Sequence, residues 1–237
     1  MSGPDTESLH TIDVNGLKLA YRVAGDPSAP PMVLLHALGM GADDWRTVAP
    51  RFAETHRVFA LDLRGHGASD HPGRYSFELM CRDVIDFLDA AKIERCVLIG
   101  HSMGGSVAVL VAETAPDRIT RLVLEDTPPP KPGFPRRPHP TPPDRPVPFD
   151  FAVVNAIIDQ LNDPDPLWWE RAATIDIPTL VIAGGPESTI PQDVLRELVD
   201  MMPYATMITI SAGHHVHNAR PEEFISAVRD FLTPRQS

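Results

Sequence analysis

One five-residue stretch constrains this chain more than any other feature: Gly100-His101-Ser102-Met103-Gly104. It lies between a short apolar run at 95–99, typical of a buried strand, and a run of small apolar residues at 106–112, typical of a helix. A serine on so sharp a strand-to-helix turn adopts a strained backbone, and little more than glycine fits two residues to either side. The pattern therefore predicts an exposed serine hydroxyl above a helix N-terminus, where developing negative charge is favoured.

Strand, loop and helix units repeat on both sides of this turn. Apolar runs predict strands at 32–35, 58–61, 95–99, 122–124, 179–183 and 206–210, and amphipathic periodicity predicts helices at 76–91, 191–202 and 221–232. Two alternating runs joined by Asn15-Gly16 predict an antiparallel hairpin at the start. Because only a crossover returns the chain to the same edge, the later strands should be parallel. The 237 residues therefore suit one α/β domain: a mostly parallel twisted sheet of about eight strands with helices on both faces.

The pattern breaks in a proline-rich segment from Thr127 to Pro148, where 11 of 22 residues are proline. Neither a helix nor a central strand tolerates that density, so the segment should be irregular or polyproline-like. A short helix is expected after Asp150. We interpret residues 127–172 as a reduced lid inserted between two parts of the core, 1–126 and 173–237. The alternatives are a solvated linker and a recognition tract for a partner protein.

Composition limits the partners. A net charge of −11 disfavours nucleic acid and anionic membrane surfaces. The start of the chain, Met1 to His10, is polar, and no apolar run approaches the length of a bilayer span, so a cytoplasmic protein is expected. Cys81 falls in a helical pattern and Cys96 in a buried strand, which predicts two core residues rather than a disulfide or a metal pair. Arginine far outnumbers lysine, as is typical of GC-rich bacterial genomes, and nothing indicates the oligomeric state.

A serine nucleophile needs a base within hydrogen-bond reach and a third group that orients the base. Among the ten histidines, His214 lies in a loop at the carboxyl end of a predicted strand, where such sheets gather their ligands. His215 and His217 share that loop and are expected to be surface or packing residues. His36 and His101 are expected to make structural hydrogen bonds and are also candidates for lining the pocket.

Taken together, these motifs resemble the α/β-hydrolase superfamily, in its esterase-like branch that also contains cofactor-free haloperoxidases and carbon–carbon bond hydrolases. The resemblance extends from Leu9 to Leu232. The matching pieces are His36-Ala37-Leu38-Gly39, the turn 62–69, the elbow 100–104, and Ala212-Gly213-His214 followed by Pro221-Glu222-Glu223-Phe224. The resemblance implies that the backbone N–H groups of Leu38 and Met103 form an oxyanion hole, in a loop narrowed because Ala37 replaces the usual glycine. It also implies that His36, Ala37 and His101 lie beside the substrate.

Two carboxylates are candidates for the orienting acid. Glu187 occupies the position, after the strand that follows the lid, where family members usually carry an aspartate. Asp126, directly at the end of the preceding strand, matches a minority of the family. The two strand ends should be adjacent, so both side chains could reach the same imidazole. We slightly prefer Asp126, because the shorter side chain holds the base more rigidly. A carboxylate that does not serve is expected to be a solvated loop residue.

These residues predict acyl transfer. Ser102 attacks a carbonyl with His214 as general base, the oxyanion hole holds the tetrahedral intermediate, and His214 then protonates the leaving group before water releases the acid. The expected substrate is a small ester, lactone or thioester, and no metal or organic cofactor is implied. A serine in the elbow argues against haloalkane and epoxide chemistry, which needs aspartate there.

Three alternatives remain open at the level of the sequence. The same triad could act on a carbon–carbon bond or a peracid, or the fold could serve as a ligand-binding scaffold with little turnover.

The basic residues Arg136, Arg137 and Arg145 have two interpretations. If they face the pocket they favour an anionic substrate, and if they face solvent they pair only with the acidic body.

Overall fold

The structure is a computed structural model that describes residues 8–233. Most of the polar start, Met1 to His10, and the last four residues lie outside the described residues. The strands are β1 (Ser8–Val14), β2 (Leu17–Ala24), β3 (Pro31–Leu35), β4 (Arg57–Leu61), β5 (Cys96–His101), β6 (Ile119–Glu125), β7 (Thr179–Ala183) and β8 (Ala205–Thr209). They form one sheet in the order β1-β2-β4-β3-β5-β6-β7-β8. β2 is antiparallel to β1 and β4, and the other neighbours are parallel, which confirms the predicted sheet.

Helices cover both faces of this sheet, as predicted. They are α1 (Ala49–Phe52), α2 (Phe77–Ala90), α3 (Met103–Thr114), α4 (Phe151–Asn162), α5 (Trp168–Ala172), α6 (Gln192–Met201), α7 (Val216–Ala219) and α8 (Pro221–Leu232). The sheet separates two hydrophobic cores. The larger core includes residues of α2 to α6, and the smaller one includes residues of α1, α7 and α8. No helix within residues 8–233 is long and apolar enough to cross a bilayer.

Local sequence signals explain where these elements begin and which face they bury. The Ser76 hydroxyl caps α2 by accepting the Leu79 N–H at 3.1 Å. Met80, Val84 and Phe87 then recur at helical spacing and are fully buried, each contributing about 2 kcal/mol. The two turn residues between β1 and β2 both have a positive φ, as the Asn-Gly pair predicts. The two cysteines are buried free thiols.

The segment between β6 and β7 leaves the sheet before it returns. Residues 127–148 contain no helix or strand, in agreement with their proline content. α4 begins after Asp150, which caps the helix by accepting the Ala152 N–H at 3.0 Å. The indole N–H of Trp169 donates to the Pro129 carbonyl oxygen at 3.2 Å, and this bond ties the proline-rich stretch to α5. Residues of the proline-rich stretch and of α4 line one cavity together with Ser102.

Candidate active site

Ser102 lies between β5 and α3 in a conformation that side-chain-bearing residues rarely adopt, with φ 52° and ψ −116°. Close contact with backbone atoms requires glycine two residues before and two residues after Ser102. A Cβ at Gly104 would lie 2.3 Å from the Leu35 carbonyl oxygen, and one at Gly100 would lie 2.4 Å from the Gly104 carbonyl oxygen. The turn is therefore held tightly against β3, and the serine side chain is held at the N-terminus of α3, as the elbow motif predicts.

A continuous chain of hydrogen bonds runs from this serine to a buried carboxylate. The Ser102 hydroxyl lies 2.9 Å from His214 Nε2, and His214 Nδ1 lies 2.7 Å from Asp126 Oδ2. An ionised carboxylate can only accept, so Nδ1 carries the proton and Nε2 is free to accept the serine hydroxyl. Asp126 directly follows β6, and His214 lies in the loop after β8. Three strand ends thus bring the three side chains together.

The surroundings of Asp126 keep it ionised and fixed. Its Oδ1 accepts the Gly184 N–H at 2.8 Å and the Gln192 side-chain amide at 3.3 Å, and its Oδ2 accepts the Ser188 hydroxyl as well as His214. Burial alone raises the pKa of this carboxyl, but the hydrogen bonds from His214, Ser188 and Gly184 outweigh it and hold the pKa below its ordinary value. Four donors therefore determine both the charge and the orientation of the carboxylate.

Glu187, the other candidate acid, lies in the loop after β7, next to the strand that ends at Asp126. Its side chain is exposed, and the same loop reaches Asp126 through Ser188 instead. The structure thus brings Asp126, and not Glu187, to the imidazole. Ser188 and Gln192 were missed by sequence reasoning. No local pattern marks them, because they contribute only through a carboxylate 62 and 66 residues away.

The two amides expected to form the oxyanion hole border the same cavity as Ser102. Within residues 8–233 the backbone N–H groups of Leu38 and Met103 have no hydrogen-bond partner, and both residues line the cavity beside Ser102. The loop that carries Leu38 is fixed by the next residue, because the Gly39 N–H donates to His66 Nε2 at 3.1 Å. Burial lowers the pKa of His66 to about 3, so the ring stays neutral and can accept this bond.

Three residues expected beside the substrate lie beneath the cavity instead. His36 is fully buried, its Nδ1–H donates to the Ala37 carbonyl oxygen at 2.7 Å, and its Nε2 accepts the Leu63 N–H at 3.0 Å. Ala37 is also buried. His101 is fully buried, and its Nε2–H donates to the His214 carbonyl oxygen at 2.8 Å. The prediction that they line the pocket is corrected: none of the three borders the cavity beside Ser102, and both imidazoles are hydrogen-bonded to backbone groups instead.

A charged cluster lies behind the catalytic loop. Glu125 and His217 are fully buried and joined by a 2.7 Å ion pair, and Asp44 Oδ2 lies 3.5 Å from the other ring nitrogen of His217. Burial lowers the pKa of His217, but the charges and hydrogen bonds of Glu125 and Asp44 together outweigh it and raise the pKa to about 10. Asp44, His101 and His217 have the spacing to hold a metal ion. His217 was expected only at the surface or in packing.

Above the serine lies a cavity of about 500 Å³. Apolar side chains form much of its wall: Phe77, Met103, Phe134, Ile157, Leu161 and Ile190. The residues 127–138 of the insertion supply prolines to the same wall, together with Arg136 and Arg137. The site therefore combines an activated hydroxyl, two available amides and an apolar cavity, which together suit attack on a carbonyl that carries an apolar group.

Comparison with known proteins agrees with this description. Residues 30–146 match a family model described as the alpha/beta hydrolase fold. A putative esterase/lipase from Haemophilus influenzae is 27% identical over 257 residues, covering 90% of this chain and 86% of that protein. A solved hydrolase from Pseudomonas aeruginosa has a TM-score of 0.81 and 26% identity, covering 96% of this chain and 99% of that one. Epoxide hydrolase 4 from mouse is 39% identical over 119 residues, which cover 49% of this chain and 33% of that protein.

This chain therefore belongs to the α/β-hydrolase superfamily and is an enzyme of its esterase/lipase-like kind.

Proposed function

We propose that this protein is a serine hydrolase that transfers the acyl group of a small ester, lactone or thioester to water. The observation that carries the proposal is the hydrogen-bonded chain Ser102–His214–Asp126, with distances of 2.9 Å and 2.7 Å. An unassisted serine hydroxyl is a poor nucleophile at neutral pH, and this chain supplies the base and the group that orients it.

In the first step, the Ser102 oxygen attacks the carbonyl carbon while His214 Nε2 takes the hydroxyl proton. The resulting oxyanion is stabilised by the N–H groups of Leu38 and Met103, and the buried Asp126 carboxylate stabilises the imidazolium. His214 then gives the proton to the leaving group, which departs and leaves an acyl-serine. Water attacks this ester by the same route, and the acid and the free serine are released.

The insertion has the role of a lid in this proposal. In the sequence, residues 127–172 separate the two parts of the core. They supply much of the wall of the cavity above Ser102. A lid of this kind excludes water from the reacting carbonyl and selects the acyl group by its shape. Because half of the segment 127–148 is proline, the wall has few conformations to lose when substrate binds.

Epoxide opening is the chemistry suggested by the name of the mouse relative. We do not assign it to this chain, since an aspartate nucleophile is needed in the elbow for that reaction and the residue here is Ser102. Attack on a carbon–carbon bond or formation of a peracid would use the same triad.

The proposal is tested by release of 4-nitrophenol from acyl esters of increasing chain length, with wild type and Ser102→Ala compared at equal concentration. We expect turnover by the wild type and loss of at least about 10³-fold in the variant, because without the nucleophile only the residual catalysis of the oxyanion hole and the cavity remains. Circular dichroism and the melting temperature serve as the folding control. A folded wild type that hydrolyses no ester contradicts the proposal.

A further inference from the structure

The wall of the cavity carries positive charge without any compensating negative charge. Arg136 and Arg137 both border the cavity that contains Ser102, and no aspartate or glutamate lines it among residues 8–233. The chain as a whole has a net charge of −11, so this patch has the opposite sign to the rest of the molecule. Positive charge at the mouth of an apolar cavity raises the local concentration of anions.

Two other side chains of the proline-rich segment already contact carboxylates. Lys131 pairs with Glu197 and lies 4.5 Å above the ring of Trp169, and His139 lies 2.8 Å from Asp159. By contrast, Arg136 and Arg137 are exposed, and within the described part of the chain neither guanidinium contacts a carboxylate. The Arg136 guanidinium makes only a long bond, 3.4 Å, to the carbonyl oxygen of Asn162. Both guanidinium groups are therefore available to a ligand.

The backbone at this point is fixed to the helix that forms the apolar wall. The Asn162 side chain, at the end of α4, accepts the Arg137 N–H at 2.7 Å and donates to the Arg137 carbonyl oxygen at 2.8 Å. Ile157 and Leu161 of the same helix line the cavity. This pair of hydrogen bonds fixes the backbone of the arginine pair relative to the apolar wall. Neither hydrogen bond involves a guanidinium group.

We propose that the substrate carries a carboxylate, separated from the scissile carbonyl by an apolar spacer, and that Arg136 and Arg137 bind this carboxylate. This inference names the substrate class of the function proposed above and rests on it. The spacer packs against the apolar wall, while the planar guanidinium donates paired hydrogen bonds to the carboxylate. Charge-assisted bonds of this kind discriminate between charged and neutral ligands by about 10-fold to 100-fold.

Two sets of esters locate the carboxylate. In the first, 4-nitrophenyl monoesters of linear dicarboxylic acids are compared with 4-nitrophenyl alkanoates of equal chain length, which tests the acyl half. In the second, butyrate esters of ω-hydroxy acids are compared with those of n-alkanols by acid release, which tests the alcohol half. We expect kcat/KM to favour the anionic ester by about 10-fold or more in one of the two sets.

Substitutions connect that preference to the arginines. In Arg136→Gln and Arg137→Gln, the ratio of kcat/KM between anionic and neutral esters should fall by about 10-fold. Arg145→Gln is the matched control, because Arg145 belongs to the same proline-rich segment and is exposed but does not line the cavity. An equal preference for anionic and neutral esters in both sets, or a ratio that falls as far in Arg145→Gln, overturns the proposal.

Binding separates this inference from the function on which it rests. Calorimetric titration of Ser102→Ala with adipate and with 1-hexanol needs no turnover. Saturable binding of adipate that is weakened by Arg137→Gln supports the anion site even if no ester is hydrolysed. Turnover of neutral esters without any preference for anionic ones supports the hydrolase and overturns the anion site.

Discussion

Replacing Asp126 by asparagine tests the catalytic geometry, because every group that contacts this carboxylate is a donor in the structure. Its Oδ1 faces the Gly184 N–H at 2.8 Å, and its Oδ2 faces His214 Nδ1 at 2.7 Å. A backbone N–H cannot become an acceptor, so the oxygen of the new amide must face Gly184 and its NH2 group must face His214. The imidazole then accepts at Nδ1 and carries its proton on Nε2, where it cannot take the proton of Ser102.

From this wrong tautomer we expect Asp126→Asn to lower kcat by about 10³-fold to 10⁴-fold, which corresponds to roughly 4 to 5.5 kcal/mol of transition-state stabilisation. The assay is steady-state hydrolysis of 4-nitrophenyl butyrate, with kcat and KM determined separately. KM should change little, because Asp126 is fully buried and does not line the cavity. The melting temperature checks that the variant is folded.

Glu187→Gln is the matched control, since Glu187 is exposed and lies in the loop next to Asp126. It should retain wild-type activity within about twofold. The reasoning is refuted if folded Asp126→Asn keeps more than about a tenth of the wild-type kcat. It is refuted equally if Glu187→Gln causes the larger loss, because the family's usual acid position then supplies the orienting group.

Three further changes test the scaffold around the site. Glu125→Gln removes the charge that holds a proton on buried His217, so the free energy of unfolding should fall by about 3–5 kcal/mol at pH 7 and by less above pH 10 in urea titrations. The sign follows from the raised pKa of about 10, since this stabilisation is complete below pH 6.5 and is lost as pH rises through 10. Gly104→Ala places a Cβ 2.3 Å from the Leu35 carbonyl oxygen, so kcat should fall by about 10²-fold or more together with the melting temperature. Burial lowers the pKa of His36 to about 4, so the unfolded state binds a proton first and stability should fall by about 3 kcal/mol between pH 6.5 and 4. His36→Gln should remove that part of the pH dependence, and a wild-type slope that it leaves unchanged contradicts the assignment.

The sequence predicted those parts of the molecule that depend on local signals. The elbow around Ser102 can be predicted because strand, turn and helix follow one another in the sequence. The close approach of β3 also leaves no room for a side chain at position 104, so glycine is required there. The sheet is readable because buried parallel strands are short continuous apolar runs. Both features need only neighbouring residues, and both agree with the structure.

Features that depend on distant pairs could not be read in the same way. Because β6 and β7 are neighbours, the loops that carry Asp126 and Glu187 follow adjacent strand ends. Asp126 reaches His214 because its backbone has a positive φ of 46° and because the Ser188 hydroxyl of the adjacent loop donates to its carboxylate. The Glu125 to His217 pair joins residues 92 positions apart, and a lone histidine carries no sign of such a partner. The expectation that His36 lines the pocket was wrong, since its ring is fully buried. The burial of a loop histidine depends on packing with residues that are distant in the sequence.

The proline-rich segment posed a different limit. Proline predicts that residues 127–148 have no regular structure, and the structure agrees. Irregular segments have no periodicity, so the sequence left open whether Arg136, Arg137 and Arg145 face the pocket or solvent. The structure separates them, with the first two on the cavity wall and Arg145 away from it. The anchoring of Arg137 by the side chain of Asn162 had no sequence signal.

The central claim is that Ser102 forms a covalent acyl intermediate, and acid-quenched mass spectrometry tests it most directly. Wild type mixed with excess 4-nitrophenyl ester and quenched within the first turnover should gain the mass of one acyl group. Peptide mapping should place it on Ser102, and His214→Gln should reduce the rate at which it forms. Hydrolysis that persists in Ser102→Ala, or an acyl group mapped to another residue, contradicts the account.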